Sequence, residues 1–106
     1  MLRAMISVPK TARRGEVIEI KTLINHVMET GYRPDAMGRV VPRDILRRFT
    51  CLYDGEEVFR MDMFPAVAAN PFISFTTVAT QSGTLSFIWE GDNGFRQTET
   101  VAIAVA

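Results

Sequence analysis

Apolar and polar residues alternate with a period of two along most of this chain, the spacing of a pleated strand that keeps one face in a core. In residues 16–25, Ile18, Ile20, Thr22 and Ile24 share one side, while Glu19 and Lys21 occupy the other. Phe49, Cys51 and Tyr53 alternate with Arg48, Thr50 and Leu52. Leu85, Phe87 and Trp89 alternate with Ser86, Ile88 and Glu90, and Val101, Ile103 and Val105 alternate with Thr100, Ala102 and Ala104. Ala4-Met5-Ile6 with Val8 reads as a first edge strand that Pro9 ends, and Thr11 to Gly15 as a turn. A return strand passes through Val58, Phe59 and Met61, and residues 72–79 are rich in β-branched and aromatic side chains. Asp54-Gly55 and Gly91-Asp92-Asn93-Gly94 each predict a hairpin turn. About seven short strands within 106 residues predict an all-β fold, an immunoglobulin-like β-sandwich of about seven antiparallel strands, as a single domain over residues 1–106. The inter-sheet cysteine pair of many such domains is missing.

Two segments break the alternation. Residues 26–42 carry Gly31, Pro34, Gly38 and Pro42 and have no period. Loops of that length are usually functional or disordered. A short helical turn is expected near residues 44–47. The Ala-rich stretch 65–71 is the second irregular segment.

Charge and cysteine usage narrow the function. Twelve basic residues balance twelve acidic ones. That argues against a nucleic-acid partner, which needs phosphate neutralised, and against a membrane surface held by basic residues. The 47% of apolar residues suits a packed core rather than disorder. The lone cysteine, Cys51, excludes an internal disulfide and a Cys-rich metal site. No apolar run approaches a membrane span. The N-terminus lacks the apolar region of a secretory signal. Arg13-Arg14 is similar to a twin-arginine signal, but Glu16, Glu19 and Lys21 follow it. Read alone, the chain looks cytoplasmic.

Candidate chemistry is sparse. His26 is the single histidine, whereas copper centres on sandwich folds need two histidines and a cysteine, and zinc needs four ligands. Its expected role is hydrogen bonding in the loop, or a place at a partner surface. Cys51 could be a nucleophile with His26 as base, but its alternation with Phe49 and Tyr53 places it in the core, where a thiol behaves as a small hydrophobe. Asp54 and Glu56-Glu57 read as a solvated hairpin tip, and Glu90, Asp92 and Asn93 lack the spacing of a calcium loop. No catalytic residue, metal or cofactor is expected. The apolar surplus says more. Phe72 and Val78 point one way from their strand, Ile73 and Phe75 the other; Met61, Met63 and Phe64 add apolar side chains nearby in sequence, and Ile88 lies opposite its neighbours. An antiparallel sandwich strand needs only one apolar face. Met61, Met63, Phe64, Phe72 and Phe75 therefore form the candidate partner contact, an obligate seam resembling a core cut in two.

Several stretches carry a family resemblance. Asn25-His26-Val27-Met28-Glu29-Thr30-Gly31, then Arg33, Asp35 and Pro42-Arg43-Asp44-Ile45, resemble the SoxZ family of thiosulfate-oxidation carrier subunits. So do Asp54-Gly55-Glu56-Glu57-Val58, Ala69-Asn70-Pro71-Phe72, and Trp89 with Asp92-Asn93-Gly94, so that the similarity spans essentially the whole chain. One departure is Val27, where the family pattern has proline after the histidine. The resemblance implies an Ig-like, non-catalytic subunit in a tight heterodimer with a SoxY-type subunit. The partner's cysteine, on a flexible C-terminal arm, carries sulfur intermediates of thiosulfate oxidation. It implies transient contacts with other Sox enzymes and leaves open self-association of the isolated chain. It implies a periplasmic location, reached by co-export with a partner that bears the signal peptide. The loop from His26 to Asp35, with Met28, Glu29 and Arg33, is then the expected docking surface for the carrier arm or the enzymes that visit it. The rival readings are a generic Ig-like adhesion or protein-binding module and a Cys51/His26 thiol enzyme.

Overall fold

The computed structural model describes residues 3–106. All seven strands read from the alternation are present: β1 (Ala4–Ser7), β3 (Val17–Ile24), β4 (Leu46–Tyr53), β5 (Glu56–Asp62), β6 (Phe72–Val78), β7 (Gly83–Gly91) and β8 (Arg96–Val105). An eighth, β2 (Thr11–Ala12), occupies part of the stretch expected to be a turn. It pairs parallel to β8 through Thr11↔Ala104 and Ala12↔Val105, and every other pairing between strands is antiparallel. The strands form a three-stranded sheet, β1-β3-β6, facing a five-stranded sheet, β2-β8-β7-β4-β5. The chain is an immunoglobulin-like β-sandwich. No helical turn forms at 44–47, because Leu46 already begins β4; among the described residues the one helical turn, of the 3-10 type, lies at Asp92–Gly94 between β7 and β8.

Register builds the core. Phe49↔Trp89, Cys51↔Phe87 and Tyr53↔Leu85 face one another across β4 and β7, and all six are buried. The Phe49 ring lies 5.1 Å from Trp89, 6.3 Å from Phe87 and 6.0 Å from Phe75 of the opposite sheet. Phe59 stacks on Phe75 at 4.3 Å and closes the side of the sandwich where β5 meets β6. Ile18, Ile20 and Ile24 of β3 cover this layer from the smaller sheet. Thr22, also buried, donates its hydroxyl to the Ile73 carbonyl at 3.3 Å, which meets the hydrogen-bonding need of a polar group on an otherwise apolar face.

The predicted hairpin at Asp54-Gly55 has both residues in the left-handed region, with φ of 50° and 83°. Those angles suit the tight turn that matches strand twist. The Asp54 carboxylate accepts the Thr84 N–H at 2.8 Å and ties the tip to β7. Tyr53, just before it, donates its hydroxyl to the Gln81 carbonyl and accepts the Gln81 N–H at 3.2 Å.

Two of the residues expected at a partner surface belong to this interior. Phe75 and Met63 are both buried. Phe75 shares its strand face with Ile73, and that face is the core side, so Phe72 must point outward. Phe75→Asp should abolish cooperative thermal unfolding, since an unpaired carboxylate would replace the ring against Phe49 and Phe59; a melting curve like that of the unsubstituted chain would contradict the packing. Burial pushes the Cys51 thiol up to about 12. Iodoacetamide should therefore label it only in denaturant, and Cys51→Ala should cost on the order of 1 kcal/mol of stability through a small cavity.

Candidate functional site

Two regions could meet a partner: the outer face of the three-stranded sheet, and the irregular end of the sandwich that holds the single histidine. The first follows from register. Met5 pairs with Leu23 and Leu23 with Phe72, so one cross-strand row on the outer face is apolar through all three strands. Met5 is 55% and Phe72 61% exposed, and the row borders a shallow groove of about 260 Å³ with Ile6 and Lys21. The next rows are polar, Ser7–Lys21–Ser74 and Glu19–Thr76; Lys21 and Glu19 pair at 3.3 Å. At the far end Val17 faces Val78, both exposed. The face is thus apolar at both ends and polar between.

At the irregular end, His26 clamps two loops together. Its N–H donates to Asn70 Oδ1 at 2.9 Å, and its carbonyl accepts the Asn70 N–H at 2.8 Å. Its Nδ1 accepts the Met28 N–H at 3.0 Å, which leaves the ring proton on Nε2. Nε2 faces Asp44 Oδ1 at 3.7 Å. The ring meets Phe95 edge-on at 5.2 Å. Burial holds the imidazole below the ordinary histidine value; Asp44 and Asp92 oppose that shift and Arg3 reinforces it. Met28, with φ of 49°, folds inward, and its sulfur accepts the Leu46 N–H at 3.2 Å.

Beyond Met28 the loop is a hairpin-like projection. Glu29 and Asp44 exchange backbone hydrogen bonds of 2.8 Å in both directions. At the tip Asp35 Oδ1 accepts the N–H groups of Met37 and Arg39 at 2.8 and 2.9 Å. Its arginines are held by its own acids or by the neighbouring turn. Arg33 grips Glu29, with Nη2 to Oε1 at 2.6 Å, and keeps that carboxyl below its usual range. Arg43 forks onto Asp92 at 2.8 and 2.9 Å, and Asp92 also accepts the Ile45 N–H at 3.1 Å. The Asp92 carboxyl is held below its usual range, chiefly by Arg43. Exposed ion pairs add little energy singly, but Asp92 joins the loop base to the β7–β8 turn. That join needs Gly91, where a Cβ would come within 2.6 Å of the Ile45 carbonyl oxygen.

The structure thus sorts the residues expected to touch partners. Phe72 and Phe64 are exposed, Met61 is half-buried on the core side opposite Phe49, and Met63 and Phe75 are interior. In the docking loop Arg33 is exposed and Glu29 half-buried, while His26 and Met28 are buried and act as supports. Met5 and Leu23 escaped sequence reasoning: they sit on the solvent side of their strands, and only pairing with β6 aligns them with Phe72. Asp92 and Asn70 escaped because turn residues rarely advertise the distant groups they hold. Cys51 and His26 form no dyad, since the thiol is enclosed by the core and both ring nitrogens are directed at other groups. Among the described residues no three His, Cys, Asp or Glu side chains gather as a metal-ligand set.

The family model described as Sulphur oxidation protein SoxZ matches residues 6–102. No individually curated protein matches the sequence. Among solved structures, a putative superoxide reductase from Thermotoga maritima superposes with a TM-score of 0.74 at 16% identity, covering 97% of this chain and 85% of that one. A superoxide reductase (neelaredoxin) from Ignicoccus hospitalis gives 0.71 at 15% identity, over 99% and 81%. The sulfur carrier protein SoxY from Chlorobium limicola f thiosulfatophilum gives 0.68 at 12% identity, over 100% and 81%. At such identities the likenesses establish the shared fold and nothing of activity.

The shifted His26 has a measurable consequence. Below pH about 6.5 the unfolded chain takes up a proton at His26 that the folded chain refuses. Stability should therefore fall as pH drops from about 6.5 toward the lower folded-state value, and level off beneath it. His26→Asn, which keeps an acceptor near the Met28 N–H, should flatten this part of the profile in urea titrations at a series of pH values. An unchanged slope would show that other groups cause the loss.

Proposed function

The chain belongs to the SoxZ family of sulphur oxidation proteins, and on that premise we propose that it is the non-catalytic companion in a sulfur-carrier complex, bound as a heterodimer to a SoxY-type subunit. In this reading the partner's C-terminal cysteine carries the sulfur intermediates of thiosulfate oxidation, and this chain supplies a surface that holds the partner and helps present its arm to the Sox enzymes. The observation that carries the reading, beyond family membership, is the Met5–Leu23–Phe72 row. A lone antiparallel sheet face has no need of it, and burying one such ring is worth about 1.5–3 kcal/mol. A permanent partner recovers that energy. The enclosed Cys51 supports a companion rather than a carrier, because its thiol is neither exposed nor ionised near neutrality. The ordered, charge-paired loop of Glu29 and Arg33 suits transient contacts better than a permanent apolar seam. We place the complex in the periplasm, reached by co-export with the partner; fractionation of cells with and without the partner's signal peptide tests that part separately.

The central test is co-purification with the SoxY-type subunit. Phe72→Asp should melt like the unsubstituted chain yet lose the partner, with affinity down by at least about 100-fold, because the new carboxylate would be buried unpaired at the seam. Thr98→Asp, a charge on the exposed side of β8, should bind normally. If Phe72→Asp still binds, the seam lies elsewhere, and if the unsubstituted chain never co-purifies, the companion reading fails. Incubation with thiosulfate and oxidant should leave the folded chain without a sulfur adduct; a stoichiometric adduct on Cys51 by mass spectrometry would make this chain the carrier.

A further inference from the structure

The outer face of the three-stranded sheet is patterned along its strands as well as across them. The register of β1, β3 and β6 sets four cross-strand rows: Met5–Leu23–Phe72, Ser7–Lys21–Ser74, Glu19–Thr76 and Val17–Val78. All these side chains are exposed except that of Leu23, which is half-buried. Along β3 the outward order is therefore apolar, positive, negative, apolar. Reversed end for end, that order is its own complement.

A sheet face can close on a copy of itself with two-fold symmetry in two ways. An axis along the strands lays each row on its like, so that Lys21 meets Lys21 and Glu19 meets Glu19, which is repulsive. An axis across the strands reverses one copy. Lys21 then lies over Glu19 of the other copy, twice by symmetry, Ser74 lies over Thr76, and each apolar end covers the other. Lys21 and Glu19 already sit 3.3 Å apart within one chain, so the two pairs close into a ring of four alternating charges. Size matches too. The larger Leu23 and Phe72 meet the smaller Val17 and Val78, which keeps facing sheets evenly about 10 Å apart. Packed sheets turn by about 30°. That shifts the outer rows sideways by about one strand spacing and leaves Lys21 over Glu19 near the axis. The face is about 20 Å long and three strands wide, well short of the roughly 1,600 Å² of a standard interface. Such a dimer is weak and reversible.

We infer that the free chain pairs with a second copy of itself through this face, with β3 antiparallel to β3, and that this homodimer and the SoxY-type heterodimer exclude one another. The pairing rests on the row pattern alone; the exclusion rests on the function proposed above, which assigns the same face to the partner.

The test begins with sedimentation velocity of the purified chain from micromolar to millimolar concentration, which should show a reversible monomer–dimer equilibrium. Lys21→Glu and Glu19→Lys should each melt like the unsubstituted chain yet weaken the dimer at least about tenfold, because like charges then face one another twice. Mixed in equal amounts, the two variants should form dimers again, since an acidic centre meets a basic one. Orientation is read with Val17→Cys and Leu23→Cys and a short bismaleimide. The two should cross-link when mixed and neither should do so alone, while the enclosed Cys51 stays silent. The inference falls if the chain remains a monomer throughout, or if Lys21→Glu dimerises as well as the unsubstituted chain. It falls also if either cysteine variant cross-links alone, which would mean that the copies meet like on like. Titration with the SoxY-type subunit should dissolve the homodimer as the heterodimer forms. If the chain binds that subunit but never itself, only the present inference is lost. If the subunit joins an intact homodimer, the exclusion fails together with the seam proposed above, and the homodimer stands.

Discussion

Pleat alternation against the ring cluster of Phe49, Phe87 and Trp89 is the constraint on which the rest of the molecule depends. Side chains on a strand leave by turns to opposite faces, so once Phe75 packs against Phe49 and Phe59, the faces of β6 are assigned. Phe72, three residues before Phe75, is sent to solvent. The same rule fixes β3, where Ile18, Ile20, Thr22 and Ile24 go inward and Leu23 goes out. An apolar row on the outer sheet is thus the counterpart of an interior that closes well. The energy gained inside by large, interlocking rings is what makes a wrong register so costly.

The irregular end obeys a different economy, since few apolar groups are available there and polar groups must be satisfied one at a time. His26, Asn70 and Met28 do this by direct side-chain to backbone bonds. Asp92 does it through three interactions, with Arg43, Arg47 and the Ile45 N–H. Such contacts hold a loop in one shape at modest energetic gain, because each replaces bonds that water would otherwise make. The loop is thereby ordered without a large apolar core. It also leaves a donor at His26 whose facing carboxylate stands just out of hydrogen-bond reach, a polar feature absent from the apolar sheet face.

The two surfaces were not equally legible in the sequence. Apolar residues on both faces of 72–78 announced that something beyond one core was needed, and Phe72 was within reach of that argument. Met63 was read as surface although it continues the inward phase of Phe59 and Met61 and its N–H still bonds to the Arg47 carbonyl at 2.9 Å; the apolar surplus around it was mistaken for a seam. His26 and Met28 looked like loop residues open to a partner, since an irregular stretch of sequence carries no sign of which members fold back. Their burial comes from Asn70 and Leu46, which are 44 and 18 residues away in the chain.

By itself the sequence determined seven of the eight strands, the inward sets of β3, β4, β7 and β8, the hairpins at Asp54-Gly55 and at 91–94, the family and the enclosure of Cys51. All of these depend on neighbours a few residues apart, or on a motif carried along the whole chain. Only the tertiary structure decided the order of strands in each sheet, the parallel pairing of β2 with β8, the alignment of Met5 and Leu23 with Phe72, and the meeting of His26 with Asp44, Asn70 and Phe95. Alternation says which way a side chain points but not which strand lies beside it. That choice is made by the packing of rings from distant segments, and it is this choice that assembles both the apolar row and the clamp at His26.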